Sequence, residues 1–460
     1  MSAVSPSPTA PKQAPPLQKE TTAGNYFVAN YPPFAFWKQD RVSELLTALE
    51  RTPGDSQISN LKSEIAAPPL GLYTHIPFCR KRCHFCYFKV YTDKDSSEIR
   101  HYLDALLKEL AVYAAKPYVA GRKPRFIYFG GGTPSYLSPD QLKFLTDGMK
   151  SLLPWDDAEE VTFEAEPGTL TDHKLAAIRE LGVTRLSLGI EHFDDHVLEV
   201  NGRAHRSKEI ARAYAYARDI GFPQINIDLI AGMVEETEEK WRDTVAKAVA
   251  LRPDSVTIYQ MEVPYNTGIY QQMKTEGKLV APVADWETKR RWVNYAYGEF
   301  EKLGYTVTSA TTVVRDPAKV KFLYREGLFT GADILSVGVA SFGHLNGVHY
   351  QNHHDFAPYL ERVDRGELPI FRALTPSADE RFIREFILQL KLGQVSRAKF
   401  QEKFGTDPLN HFASPIQRLK DWGFLTVEAD ALRINREGLM QIDKLLHEFF
   451  LPEHQGNRYA

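Results

Sequence analysis

The stretch Gly71-Leu72-Tyr73-Thr74-His75-Ile76-Pro77-Phe78-Cys79-Arg80-Lys81-Arg82-Cys83-His84-Phe85-Cys86 decides how this chain is read. Its first six residues, 71–76, are a short apolar run of strand length, closed by a proline that cannot donate to a sheet ladder. The chain's three cysteines then fall within eight positions, spaced C-x3-C-x2-C. A strand is therefore expected to empty directly into a cysteine-bearing loop.

Outward from that loop, strand and helix patterns alternate. An amphipathic helix is expected over 97–113, a strand ending in glycines over 125–129 and a helix over 139–152. Strands at 160–164, 185–188, 224–230 and 255–259 are each followed by a helix, near 172–181, 207–220, 237–250 and 284–303. Six such units predict a parallel sheet of the α/β class, a partial or complete (β/α)6 TIM-type barrel, with chemistry at the carboxyl ends of its strands.

The flanks read differently. Residues 1–23 are a Pro/Ser/Ala tail expected to be disordered. Residues 24–69 form a pre-core strap whose run Asn25–Trp37 is unusually aromatic. Those rings fill a groove on the core, since aromatics usually serve packing, or they help close a large flat substrate into the site. The barrel is assigned to 70–303 and a small β extension to 304–375, with short strands at 305–309 and 347–351 around Ser336–Gly343. Residues 376–460 read as helices and then a hairpin, 422–427 with 431–434, a winged-helix-like α+β module. Without a Lys/Arg stripe, that module is expected to be a cap and not a nucleic-acid reader.

The totals exclude several classes. A net charge of -3 over 460 residues argues against a general nucleic-acid or membrane-surface binder. No apolar run approaches the roughly 18 residues that cross a bilayer, and the N-terminus lacks a secretory signal's apolar core. Clustered cysteines in a chain of this length do not suggest a disulfide framework, so the reducing cytosol is the expected compartment.

The cysteine spacing alone leaves several chemistries open. Three thiolates on one short loop can hold three corners of a four-iron cubane and leave the fourth iron free for a ligand. Structural zinc needs four ligands, which His84 or His75 could complete. A disulfide with an odd thiol, or inert buried cysteines, are further alternatives.

Taken with Tyr73–Phe78 and Phe85, the cysteine loop resembles the opening of the HemN/HemW group of radical S-adenosylmethionine (SAM) proteins. That resemblance runs from residue 70 to the C-terminus. It covers coproporphyrinogen III oxidases that work without oxygen, haem chaperones, haem-opening enzymes, and two-SAM methylases and cyclopropane-forming enzymes. It implies a radical SAM barrel, a [4Fe–4S] cluster on Cys79, Cys83 and Cys86, and one or two SAM molecules. It also implies reductive cleavage of SAM to a 5′-deoxyadenosyl radical that abstracts hydrogen from a small molecule, a tetrapyrrole or other. An electron donor such as flavodoxin or ferredoxin, and a monomeric protein, follow from the same likeness.

Residue by residue, the resemblance puts Tyr73 beside the sulfonium, Phe85 in the cofactor set, and Gly131, Gly132 and Thr133 at the SAM amino group. Glu164 matches a glutamate that binds the ribose diol, Arg203 an arginine that neutralises the SAM carboxylate, and Asp228 a carboxylate near SAM. The chain departs from the pattern twice. Glu191 stands where glutamine is usual, and Phe88 stands where the oxidases carry a further cysteine that does not ligate. The aromatic strap and the segments 338–343 and 347–352 resemble the oxidase, which favours oxidative decarboxylation in porphyrin biosynthesis. A two-SAM methylase or cyclopropane-forming enzyme, and a haem chaperone, are the alternatives. His344, His349, His353 and His354 are expected to be hydrogen-bonded or exposed, and 260–267 to wall the active end.

Overall fold

A computed structural model of the chain describes residues 27–53, 67–277 and 282–456. The tail over 1–23 and the start of the strap lie outside the described residues.

Six strands follow the expected order: β1 (Leu70–Ile76), β2 (Pro124–Gly131), β3 (Glu160–Ala165), β4 (Arg185–Glu191), β5 (Gln224–Ala231) and β6 (Ser255–Gln260). Each pairs in parallel with the next. Their side chains are buried almost without a break, as parallel strands covered on both faces require. Helices α1 (Val42–Leu49) and α2 (Ser96–Ala114) precede β2; α3 (Pro139–Leu152), α4 (Asp172–Glu180), α5 (Asp195–Val200), α6 (Ser207–Asp219) and α7 (Glu238–Leu251) cover the later strands. Their starts are encoded locally. Asp95 with Glu98 and Ser138 with Gln141 form reciprocal capping boxes, satisfying N–H groups that a helix start leaves open.

The segment 304–375 is not a separate appendage. It supplies β7 (Thr306–Val307), β8 (Thr312–Val314), β9 (Asp333–Val337), β10 (Phe342–Leu345), β11 (Val348–Asn352) and β12 (Ile370–Leu374) to the same sheet. The twelve strands run β12-β11-β10-β9-β1-β2-β3-β4-β5-β6-β8-β7. The segment thus brackets the six parallel strands, adding a parallel neighbour to β1 and an antiparallel one to β6. β6 and β9 are not neighbours, so the barrel is partial. The C-terminal residues form a three-stranded sheet, Gln394–Ser396, Ala431–Ile434 and Leu425–Val427 in that spatial order, packed with helices at 397–404 and 413–421.

The histidines of the added segment fit the expectation of hydrogen-bonded or exposed rings: His349 Nδ1 lies 3.5 Å from Asn30 Nδ2, and His354 is exposed. His344 and His349 face each other across β10 and β11 with ring centroids 4.6 Å apart, His349 buried and His344 half-buried. Burial pushes His344 down to about 3 and His349 well below its ordinary value, so the pair is packed as neutral rings. The strap covers them: Trp37 stacks on His349, and Lys38 exchanges backbone hydrogen bonds of 3.0 Å with Ala373.

Strap, sheet and C-terminal module meet at Lys391. Its buried Nζ donates to Val28 O at 3.0 Å and to Asp443 Oδ1 at 2.6 Å, while Val28 N–H donates to the same Asp443 oxygen at 2.8 Å. Severing a fully buried ion pair costs roughly 3–5 kcal/mol. Asp443 keeps 22% of its side chain exposed and one further donor, so a smaller loss applies. Lys391→Met is expected to destabilise the protein by about 2 kcal/mol, read as a lower urea midpoint at unchanged slope. Proteolysis near residues 27–37 is expected to accelerate; an unchanged midpoint and cleavage rate would show that the strap is held elsewhere.

Candidate active site

At the carboxyl ends of β1 to β6 lies a cavity of about 580 Å³. Every residue that the sequence resemblance singles out lines it: Tyr73, Cys79, Cys83, Phe85, Cys86, Gly131, Gly132, Thr133, Glu164, Glu191, Arg203 and Asp228.

The cysteine loop has no regular structure of its own and is positioned by its neighbours. The glycine turn after β2 grips one side, with Gly132 N–H donating to Ile76 O at 2.8 Å and Thr133 N–H to Phe78 O at 2.9 Å. A Cβ on Gly132 would stand 2.9–3.0 Å from backbone atoms of Pro77, Ile76 and Phe78, so glycine is required there by close approach. From the other side His84 N–H donates to Asn201 O at 3.0 Å, and Ile269 N–H to His84 O at 3.0 Å. Arg80 reaches Gly168 O, Ala204 O and Glu166, and Arg82 reaches Cys86 O and Asn266 O. Phe85 drives the loop into an apolar cluster with Val197, Met233, Val263 and Ile269.

The three cysteines are free thiols, Cys79 buried and Cys83 and Cys86 half-buried. Thr133 Oγ1 donates to Cys79 Sγ at 3.3 Å, and Arg203 donates to Cys83 Sγ at 3.2 Å. Burial pushes the Cys79 thiol up to about 12 and the Cys86 thiol up to about 11, so a metal centre would have to displace their protons on binding. Among the described residues no three His, Cys, Asp or Glu side chains converge as a single ion requires. His84 instead contacts Val200 O through Nδ1, and His75 Nδ1 shares a 3.0 Å hydrogen bond with the Tyr73 hydroxyl. A zinc set with either histidine does not fit. A cubane does, because its corner irons are separate and soft thiolates spread around a cavity suit it.

The carboxylates on β3, β4 and β5 are half-buried in the cavity wall. Glu164 Oε2 accepts from Gly131 N–H at 3.2 Å and Oε1 from the Tyr128 hydroxyl; burial still pushes it up to about 7. Asp228 accepts from Ser187 Oγ at 3.0 Å and Asn226 Nδ2 at 2.9 Å, and burial raises it also. Burial pushes Glu191 up to about 7 against the attraction of Arg203. Burial works against the Arg203 charge, yet Cys83, Glu191 and Glu166 hold it protonated above its ordinary value.

Other parts of the cavity were missed from sequence. Tyr128 stacks on Tyr73 and contacts Tyr324, forming an aromatic wall. Its signal was available, since it lies one alternation before Gly130 on β2. Phe27 of the strap and residues 439–444 of the C-terminal module also reach the cavity. Of the stretch 260–267, residues 260–262 line it, and Gln260 Nε2 donates to Met440 O at 2.9 Å. His344, His349, His353 and His354 do not line it.

Comparison with known proteins agrees with this geometry. The sequence model of the radical SAM superfamily matches residues 73–248, and that of the HemN C-terminal domain matches 377–440. Residues 73–248 thus carry a radical SAM domain and residues 377–440 a HemN C-terminal domain, and the chain is similar to the HemN/HemW group. It is 27% identical over 407 residues to an oxygen-independent coproporphyrinogen III oxidase of Helicobacter pylori, covering 85% of this chain and 87% of that one. It is 29% identical over 368 residues to the haem chaperone HemW of Bacillus subtilis, covering 80% of this chain and 95% of that one. The coproporphyrinogen III oxidase HemN of Escherichia coli shares the fold at TM-score 0.77 and 23% identity, covering 92% of this chain and 96% of that one. The radical SAM cofactors are a [4Fe–4S] cluster and SAM. No helix among the described residues is long and apolar enough to cross a membrane.

Because the glycine turn positions the cysteine loop through backbone atoms, Gly132→Ala must displace that loop. Iron and sulfide retained after anaerobic reconstitution are expected to fall below about half of the wild-type content, with the far-UV circular dichroism unchanged. Full retention would show that the loop tolerates the shift.

Proposed function

We propose that this protein is a radical SAM enzyme acting on a large, flat, carboxylate-bearing small molecule, by a coproporphyrinogen-oxidase-like oxidative decarboxylation. One observation carries the reading: the cavity that gathers the cysteines, Glu164, Arg203 and Asp228 is also lined by Phe27, Tyr87, Phe88, Trp286, Leu439 and Met440. That lining offers apolar area for a second ligand beyond the cofactors, and aromatic faces suit a planar one.

In this reading Cys79, Cys83 and Cys86 hold three corners of the cluster. A reduced [4Fe–4S] cluster held there would supply the electron for reductive cleavage of SAM. The chain's own residues bind and orient. Gly131, Gly132 and Thr133 would receive the SAM amino group, with Tyr73 beside the sulfonium and Arg203 countering the carboxylate. Glu164 is suited to a vicinal diol, since an ionised carboxylate accepts two O–H bonds at once. Lys81 and Arg82 at the rim supply cations for substrate carboxylates. The strap and the C-terminal module exclude water from above, which protects a reactive radical. Free thiols call for a reducing compartment, and one chain supplies the whole site, so we take the working unit to be a cytosolic monomer.

A second reading, a haem chaperone, is favoured by the HemW likeness and by Phe88 standing where the oxidases carry a further cysteine. Reconstituted, reduced protein mixed anaerobically with SAM and coproporphyrinogen III separates the two. 5′-Deoxyadenosine with decarboxylated porphyrinogen is the expected product pair by mass spectrometry. Deoxyadenosine with S-adenosylhomocysteine and intact porphyrinogen would move the assignment to a two-SAM enzyme, and no SAM cleavage with tight haem binding to the chaperone.

The cluster's electron has to arrive from the surface. Arg80, Lys81 and Arg82 form an exposed cationic run between two of the cysteines of a chain whose net charge is -3, beside Phe88 at 48% exposure. An acidic one-electron carrier of the flavodoxin or ferredoxin kind fits that face. Lys81→Glu is expected to slow cluster reduction by reduced flavodoxin at least about fivefold at low salt and to flatten its salt dependence. Reduction by dithionite serves as the control. An unchanged flavodoxin rate would move the carrier's approach elsewhere.

A further inference from the structure

Three carboxylates face the inner end of the cavity, and Glu191 differs from the other two. Both oxygens of Glu164 are engaged, by the Tyr128 hydroxyl and Gly131 N–H. Both oxygens of Asp228 are engaged, by Ser187 and Asn226. Glu191 has a single ion partner among the described residues, Arg203, whose amino nitrogen stands 3.6 Å from Oε1. That distance is too long for a hydrogen bond. The guanidinium is also shared, donating to Cys83 Sγ at 3.2 Å and to Gly189 O at 2.6 Å.

The backbone delivers this carboxylate by a strained route. Glu191 has φ 65°, a region that a residue with a Cβ seldom adopts, and the β4–β5 register shifts between Gly189 and Glu191. A bulge of this kind re-aims a side chain, here into the cavity. The neighbouring charges leave it under-compensated. Arg203 faces the cavity, and Arg185 acts on Glu164 and Asp228 from behind. Glu166 is already paired with Arg80 and His205. The charges acting most strongly on Glu191 are Arg203 on one side and Asp228, Glu164 and Glu166 on the other, and among the described residues Glu191 is the one of the three carboxylates that accepts no hydrogen bond.

We propose that Glu191 is a specificity-determining residue that makes this cavity favour a cationic sulfonium over the corresponding neutral thioether. The inference rests on the cavity being the SAM site. SAM and S-adenosylhomocysteine share their nucleoside and amino-acid parts and differ by one methyl group and one positive charge. A half-buried carboxylate without a full partner attracts that charge through a medium less screening than water. The same physics links binding to protons. Burial favours the protonated form of Glu191; Arg203 opposes this, while Asp228, Glu164, Glu166 and the facing Tyr259 do not relieve it. A bound cation favours the ionised form, so a proton leaves as the cation enters. SAM affinity then falls as pH drops through about 7, and thioether affinity does not.

Anaerobic calorimetry on the cluster-loaded, oxidised protein tests this without turnover. Wild type is expected to bind SAM about tenfold tighter than S-adenosylhomocysteine at pH 8 and to lose about tenfold in SAM affinity by pH 6. Proton release, measured at pH 7 in two buffers of different ionisation enthalpy, is expected for SAM alone. Glu191→Gln is expected to shrink the preference to threefold or less and to flatten the pH dependence. An unchanged preference and pH profile in that variant would overturn the proposal. If the variant binds neither compound, wild-type proton release decides, and equal release for both compounds overturns it. Wild type that binds neither compound would refute the SAM reading itself, and this inference with it.

Discussion

Everything functional in this protein depends on a loop without regular structure being held in one shape by the ends of other strands. Three thiols within eight positions can face one cavity only if the chain between them is fixed, and nothing inside residues 79–86 is extensive enough to fix it. The restraint comes from outside: the glycine turn of β2 on one side, Asn201 and Ile269 on the other, and Arg80 and Arg82 bridging to the carbonyls of Gly168, Ala204 and Asn266. The parallel sheet is what brings these donors and acceptors to the same edge. An open sheet bracketed by strands of residues 304–375 leaves that edge accessible, where closure would crowd it.

Electrostatics then follows from burial. The carboxylates of β3, β4 and β5 are half-buried without enough cations to neutralise them, which raises Glu164, Glu191 and Asp228 together. The cysteines behave alike, Cys79 and Cys86 keeping their protons more tightly than free thiols. Such an end is poorly satisfied by the protein alone and suited to a metal cluster with a cationic ligand. The strain at Glu191 belongs to the same pattern, since strained backbone persists where the surroundings over-determine it.

Much of this was legible in the sequence because the signals were local. The six central strands are short apolar runs bounded by glycine, proline or polar residues, and the helix over 139–152 begins at a serine cap followed by proline. The strand at 185–188 was read too short because Gly189 and Glu191 break the apolar pattern, although the strand continues to Glu191 and uses the break to aim it. The twelve residues assigned by resemblance share one cavity because they sit in the carboxyl-terminal halves of the strands or in the connections that follow them. What was not legible arrives from far along the chain. No local pattern says that residues 304–375 join both flanks of the sheet or that Met440 meets Gln260, whereas the aromatic run 25–37 left open that the strap reaches the site, as Phe27 does. The packing of the His344–His349 pair was not legible for the same reason: the ring that stacks on His349 is Trp37, about three hundred residues earlier in sequence.

The central claim is that the three cysteines hold a cluster with one iron left open to SAM. Electron paramagnetic resonance of the reduced, reconstituted protein, recorded with and without SAM, tests it most directly. The account requires a reduced-cluster signal whose g-values shift when SAM is added, with the shift absent when SAM is withheld. A cluster signal that SAM leaves unchanged would mean that no iron is open to it, and would contradict the account.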